Sequence, residues 1–495
     1  MKKMMKFTTV LLTTMIIASS MVGCKKAATT TLPPAAGTAI LEVAFAKVKW
    51  YVFGAKPADL DMVMTNLNVD LKKKANVELD LQFIDAGTFE DKMKLIVASN
   101  EDYDLTFTSN WRNRFVDNMA KEAFQPLDDL LNKYGQDIKK QIPAWLIDVA
   151  KVSGKLYAIP NQQFVATQFG LAIQKGLLDK YKFDVTKVKE LKDIEPFLKM
   201  IKENEPNLIP LKQSQQVIRD IQYEAIASWN AAIKRGDKSL TIVGNIGLQA
   251  AIDQSKLNND WYKNGYLRKD LMTIKDDSAD LKANKYAVLL NSYKPGGGAE
   301  TTAKQGIEYV MIPIAKAFIN ADSGSSTMTA VNANSKHPEA AMKLLNVVQT
   351  DKDIYNKLLF GLENTHYTKT DATHVVPVKD TKYNLGTVGW MLGNNFNAWF
   401  LPGQADTVWT ESNTINTSSE VSVLRGFNFN PAPIQAEIAQ LSAVNTEYSS
   451  GEWVTDNLDN FLKEKNDKLK KAGYDKVIAE VQKQVDVWAK ANGKK

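Results

Sequence analysis

Cysteine is almost missing from this sequence: 495 residues contain one, Cys24. A chain with a single cysteine has no internal disulfide framework and no thiolate set for a structural zinc. Histidine is nearly as scarce. Only His337, His366 and His374 occur, and no His-Glu-x-x-His pair is present, which argues against a zinc site. A Gly-x-Ser-x-Gly elbow is also lacking, removing the commonest serine-hydrolase signature. Past residue 24 no apolar run reaches the ~20 residues of a membrane-spanning helix. No cofactor and no catalytic metal are expected. One opening is left for a structural calcium on the loop carboxylates Asp276, Asp277 and Asp280.

A large net charge is missing too. The formal net charge is +6, and removing residues 1–23, which carry three lysines and no acid, leaves +3. Lysines and acids interleave, as in Lys463-Glu464-Lys465-Asn466-Asp467-Lys468. Such a run is a solvated helix face, and no nucleic-acid partner is expected. The amino-terminal residues supply an address instead. Lys2, Lys3 and Lys6 precede an apolar stretch from Phe7 to Val22 that is too short and too polar to span a membrane. Met21-Val22-Gly23-Cys24 resembles the lipobox of bacterial lipoproteins, with Met21 where leucine is usual. The resemblance implies cleavage before Cys24 and a lipid on its thiol. Residues 1–23 are then a signal peptide and 24–46, small, polar and proline-bearing, a lipid-anchored tether.

Past the tether the chain alternates between two periods. Val48–Gly54, Val77–Phe83 and Tyr103–Thr108 read as strands, with helices over 59–74 and 88–99 between them. Strand–helix–strand–helix–strand is the mark of an α/β lobe with a mainly parallel sheet. Further helices are expected at 191–203, 216–226, 247–264 and 338–349, the last with proline at its start. Strands are expected at 286–290 and 309–314, and a largely helical tail over 434–489.

Four segments in this order carry a family resemblance: Asp104–Trp111, Phe124–Leu130, Gly154–Pro160 and Lys336–Leu345. With them the chain resembles the extracellular solute-binding proteins of bacterial ABC importers, in the maltodextrin-binding-like family and its long lipoprotein subgroup tied to oligosaccharide uptake. The resemblance implies a two-lobed α/β periplasmic-binding-protein-like fold, with hinge crossovers and a helical C-terminal region. It places the crossings near Ile159–Gln163, near Thr327–Val331 and around 375. The first lobe then takes 47–160 and 328–375, and the second takes 161–327 and 376–495. An oligosaccharide ligand, the transmembrane subunits of an ABC permease as partner, a membrane contact through lipid alone and a monomeric state are also implied by the resemblance.

Capture of a sugar needs planar amide or guanidinium groups for its hydroxyls and aromatic rings for its C–H faces. Four clusters at expected loop positions offer these. Asn110, Trp111 and Arg112 follow a strand, and Gln162 and Gln163 sit at the first crossing. Tyr293 precedes the triple glycine Gly296–Gly298, which would let backbone approach a ligand. Trp390, Asn395 and Phe396 belong to an aromatic, asparagine-rich stretch that also holds Trp399, Phe400 and Trp409. The rival from another class is a surface-anchored glycoside hydrolase, which needs two carboxylates facing across a sugar; Asp128/Asp129 and Asp276/Asp277 are available pairs. A peptide ligand is the other alternative, since one fold serves different solutes.

Overall fold

The computed structural model describes residues 43–495 except 153, 213–215, 275 and 450. The expected signal peptide, the lipidation site Cys24 and most of the tether lie outside the described residues. Among the described residues no helix is long and apolar enough to cross a membrane.

Strand Ala46–Phe53 alternates in exposure as its sequence does: Val48, Trp50 and Val52 are fully buried while Lys47 points outward. It pairs in parallel with Val77–Ile84 on one side and Leu105–Thr108 on the other. Met328–Val331 and Ala158–Pro160 extend the sheet antiparallel, giving the order 77–84, 46–53, 105–108, 328–331, 158–160. Helix Leu60–Ala75 follows the first strand, burying Leu60, Val63, Leu67 and Leu71 at helical spacing. It ends where Asn76 turns left-handed and its N–H caps the Lys72 carbonyl. Pro338–Thr350 and Lys352–Phe360 return to this lobe from late in the chain. Asp351 separates them by accepting the Asp353 and Ile354 amides as N-cap of the second.

The second lobe has its own four-stranded sheet, ordered Tyr309–Pro313, Phe169–Gln174, Tyr286–Ser292, Ile209–Lys212. Its central strand 169–174 is buried along its whole length, which is why its apolar residues run without alternation. Leu171 and Ile173 face Phe197, Leu198 and Trp261, whereas Ala172 faces Tyr286, Leu289 and Tyr309.

Two expectations are corrected by packing. Residues 216–226 are not a helix: one turn, Val217–Asp220, is followed by strand Tyr223–Ile226. That strand pairs with Ala231–Lys234, which pairs with Ile242–Gly244. Ala227, Ser228 and Trp229 are all left-handed at the hairpin turn, a backbone no helix tolerates. The second correction concerns 376–495, expected wholly in the second lobe. Tyr383, Leu385, Met391, Leu392 and Ala398 pack into the first-lobe core. The chain stays on that lobe well past 375: Leu401 and Trp409 still pack against its core, while Val408 between them lies against Gly296 of the second lobe. Its last part forms a third body. Val477, Val481, Val485 and Ala489 are spaced by four along helix Tyr474–Ala491 and bury against Ile233, Ile242 and Leu441.

The crossings are bonded to one another. Thr167 and Phe318 exchange backbone bonds of 2.7 and 2.9 Å, and Asn161 Nδ2 donates to Thr327 Oγ1 at 2.8 Å. The Asn416 side chain, on helix Val408–Ser418, accepts from the Val165 and Ala166 amides and donates to the Gln163 carbonyl.

Candidate functional site

Between the lobes lies a cleft of ≈ 760 Å³. One wall comes from the first lobe and is aromatic: Phe360, Trp390 and Trp399, with Asn384 and Asn395 at its edge. Phe360 ends helix Lys352–Phe360 and is only 3% exposed; Trp399 stacks on it with centroids 6.1 Å apart and planes at 12°. Lys369 Nζ sits 4.2 Å from the Trp399 centroid. Trp390 leans on Phe53 and Phe107, at 6.0 and 6.1 Å. Its ring is thus held from behind by side chains at the ends of two parallel strands, where open α/β sheets place their ligands.

The facing wall comes from the second lobe and is polar. Asn291 and Ser292 end a strand, and helix Gly297–Gln305 then presents Gly297, Glu300, Thr301 and Lys304 along one face. Lys294 reaches Glu300 at 2.7 Å. The triple glycine serves packing here. Gly296 adopts φ +75°, and a Cβ on Gly297 would stand 2.6 Å from Met311 Sδ, so the helix can lie on its neighbouring strand only without that atom. Gln404 and Trp409 complete the cleft, and Trp409 Nε1 donates to the Ala398 carbonyl at 2.7 Å.

Of the residues singled out from sequence, Trp390 and Asn395 line this cleft. Trp111 continues the aromatic surface beyond it: its ring is 49% exposed, 6.4 Å from Trp390, and its Nε1 donates to the Ser326 carbonyl at 2.8 Å. The Arg112 guanidinium lies 4.5 Å from the Phe53 centroid and donates to the Ala86 carbonyl. Asn110 binds Asp322 at 2.6 Å and so ties the strand end to a crossing. Tyr293 lies against Gly170, outside the cleft lining. Burial and the charge of Glu411 push its phenol upward. Gln162, Gln163 and Phe396 line a separate small crevice with Trp145 and Asn416. The Gln162 backbone bonds Gly393 and Asn395, while its side-chain Nε2 is buried without a hydrogen-bond partner among the described residues.

The aromatic stretch named from sequence supplies Trp399 and Trp409 as well, whereas sequence reasoning passed over Phe360 and the helix face at 297, 300, 301 and 304. The last had a readable signal, since those positions fall on one side of any helix. Among the described residues no cluster of three or more His, Asp or Glu could hold a metal. The carboxylates considered for calcium are otherwise engaged: Asp277 by Lys212 and Tyr286, Asp280 by Lys285 and Arg268, Asp276 by Ser278.

Residues 62–354, more than half of the chain, match the family of bacterial extracellular solute-binding proteins, and residues 423–490 match a domain of unknown function (DUF3502). That second match falls on the third body. A carbohydrate ABC transporter substrate-binding protein of Streptococcus pneumoniae is 28% identical over 90% of this chain and 91% of its own length. The chain also superposes on the N-glycan transport solute binding protein NgtS of Streptococcus pneumoniae, with TM-score 0.82, 26% identity and coverage of 90% and 99%. For the complexes of that protein with Man1GlcNAc and Man5GlcNAc the TM-scores are 0.73 and 0.70, with 26% identity, 90% of this chain and 100% and 99% of theirs. By the extent of the first match, the chain belongs to the bacterial extracellular solute-binding protein family.

Proposed function

We propose that this chain captures an oligosaccharide between its two lobes and presents it to the transmembrane subunits of an ABC importer, acting as a monomer lipid-anchored at Cys24 on the outer face of the cell membrane. The observation that carries the reading is the pairing of walls. One side of the cleft offers aromatic faces for sugar C–H groups, the other offers amides, hydroxyls and charges for sugar hydroxyls. Its ≈ 760 Å³ falls within the ~300–1,000 Å³ usual for small-ligand sites. The glycans in the NgtS complexes support an oligosaccharide over a peptide. A ligand touching both walls favours the closed arrangement, which an importer can tell from the open one. The lower superposition on the glycan complexes supports a fold with more than one lobe arrangement.

Binding without turnover is part of the proposal. Among the described residues the cleft lining includes one carboxyl group, Glu300, already engaged by Lys294, where glycoside hydrolysis uses two facing carboxyls. The test is calorimetric titration of residues 25–495 with neutral and acidic oligosaccharides and with short peptides, followed by chromatography of the incubated ligand. Saturable binding of a glycan that is recovered intact is expected. Cleavage of the glycan, or binding confined to peptides, would overturn the proposal.

A further inference from the structure

The cations around the cleft are not matched by acids. Lys294 is paired with Glu300, but Lys304 on the same wall forms no ion pair among the described residues, nor does Lys369 above Trp399. Arg112 stands at the other end of the aromatic surface and is likewise without an ion pair among the described residues. Its guanidinium lies over two rings, 4.5 Å from Phe53 and 5.2 Å from Trp111. Phe53 in turn touches Trp390 of the cleft wall at 6.0 Å, so a single ring separates Arg112 from the lining. The acids nearby are occupied or directed elsewhere. Asp322, beside Trp111, accepts from the Asn110 side-chain amide at 2.6 Å, Asp371 and Asp406 flank the His374 imidazole at 2.9 and 3.0 Å, and Glu90 accepts the Asn113 amide.

A guanidinium has five N–H donors in a planar fork. Arg112 spends Nη1 on the Ala86 carbonyl at 2.8 Å, and among the described residues no acceptor takes Nε or Nη2. Stacking on aromatic faces and one fixed hydrogen bond hold the fork in a single orientation, the arrangement in which arginine reads a carboxylate through two donors. Lys304 in the lining, with Lys369 and Arg112 beside it, adds a positive potential next to low-dielectric aromatic walls.

Resting on the capture reading above, we propose that the cleft is selective for a glycan carrying a carboxylate. The acidic sugar lies against Trp111 with its carboxylate on Arg112, while neutral units fill the lining beside Trp390 and Trp399. Lys304 and Lys369 add unspecific attraction. Sialic and uronic acids share this chemistry, and the test separates them.

The experiment is calorimetric titration of residues 25–495 with three matched probes: a neutral galactose-terminated N-glycan, the same glycan capped with sialic acid, and an oligosaccharide ending in a uronic acid. At low ionic strength at least one acidic probe binds about tenfold tighter than the neutral one, as expected for a charge-assisted bond. The margin shrinks as salt is added. Arg112→Gln lowers acidic affinity about tenfold, and Arg112→Lys restores only part of it, since a point charge lacks the fork. Thermal melting of both variants checks the fold, and Lys304→Gln, remote from the Phe53 stack, gives an independent reading through a smaller salt dependence. Neutral binding as tight as acidic binding, or equal losses for both probes in Arg112→Gln, overturns the selectivity and leaves capture standing. Failure of all three glycans to bind overturns capture, and this inference with it.

Discussion

The two walls of the cleft are built on opposite plans. The first-lobe wall is made of large rings backed by other rings: Trp399 on Phe360, and Trp390 on Phe53 and Phe107. The second-lobe wall is one helix face and a strand end, where Lys294 and Glu300 remain 42% and 40% exposed. Rings supported from behind lose little freedom when a sugar stacks on them, so binding keeps most of what the contact yields. Exposed side chains on a short helix must be ordered on binding, but they can adapt to the pattern of hydroxyls. On the proposed reading the aromatic wall, with Arg112 at its end, supplies stacking and the carboxylate contact, and the polar wall adapts to the pattern of hydroxyls.

The comparison breaks first at Phe360. Replacing it by alanine removes a ring that is 3% exposed and supports Trp399. Unfolding in denaturant should show a loss of about 3–5 kcal/mol, together with weaker glycan binding. Normal binding by the folded fraction would show that Trp399 needs no support. Trp399→Ala comes next. It should weaken glycan binding by roughly 1–3 kcal/mol in calorimetry while shifting the melting midpoint less than Phe360→Ala. An unchanged affinity would transfer the stacking role to Trp390.

A smaller effect is expected away from both walls, at the joint between the third body and a crossing. Glu224 there accepts the Ala321 amide at 2.5 Å and the Ser422 hydroxyl, and burial pushes its carboxyl upward from the usual 4.5. With the folded pKa raised, the unfolded chain releases the proton first. Stability from this group is therefore greatest below 4.5 and falls as pH rises through the folded value. Glu224→Gln should melt higher than wild type near pH 8 and lose that advantage near pH 4; an advantage independent of pH would contradict the assignment. The smallest change is expected at Lys294→Met. Breaking an exposed pair should cost less than about 1 kcal/mol in denaturant. A larger loss would mean that the polar wall is as rigid as the aromatic one.

Much of the fold was legible because it rests on local periodicity. The strands at 46–53 and 77–84 and the helix at 60–75 follow their alternating and helical patterns to within two residues. The hairpin at 223–234 was not legible. Val217–Asp220 starts as a helix, and the residues after it become strands only because Ile226, Ile233 and Ile242 share a core with helix Tyr474–Ala491, more than 200 residues later.

The site divides in the same way. Local sequence determined that the region around 390–409 is a store of rings and amides, while the helix face at 297, 300, 301 and 304 appeared only with the structure. Which rings meet the cleft was decided by tertiary structure alone. Asn395–Asn397 is a single 3-10 turn laced to Gln162, so Asn395 faces the large cleft while its neighbour Phe396 enters the small crevice. Adjacent residues on a tight turn diverge in direction, and no period along the chain records which side a crossing strand will occupy. The walls themselves come from segments about a hundred residues apart, near 291–304 and 384–404, and only the three bonded crossings bring them face to face.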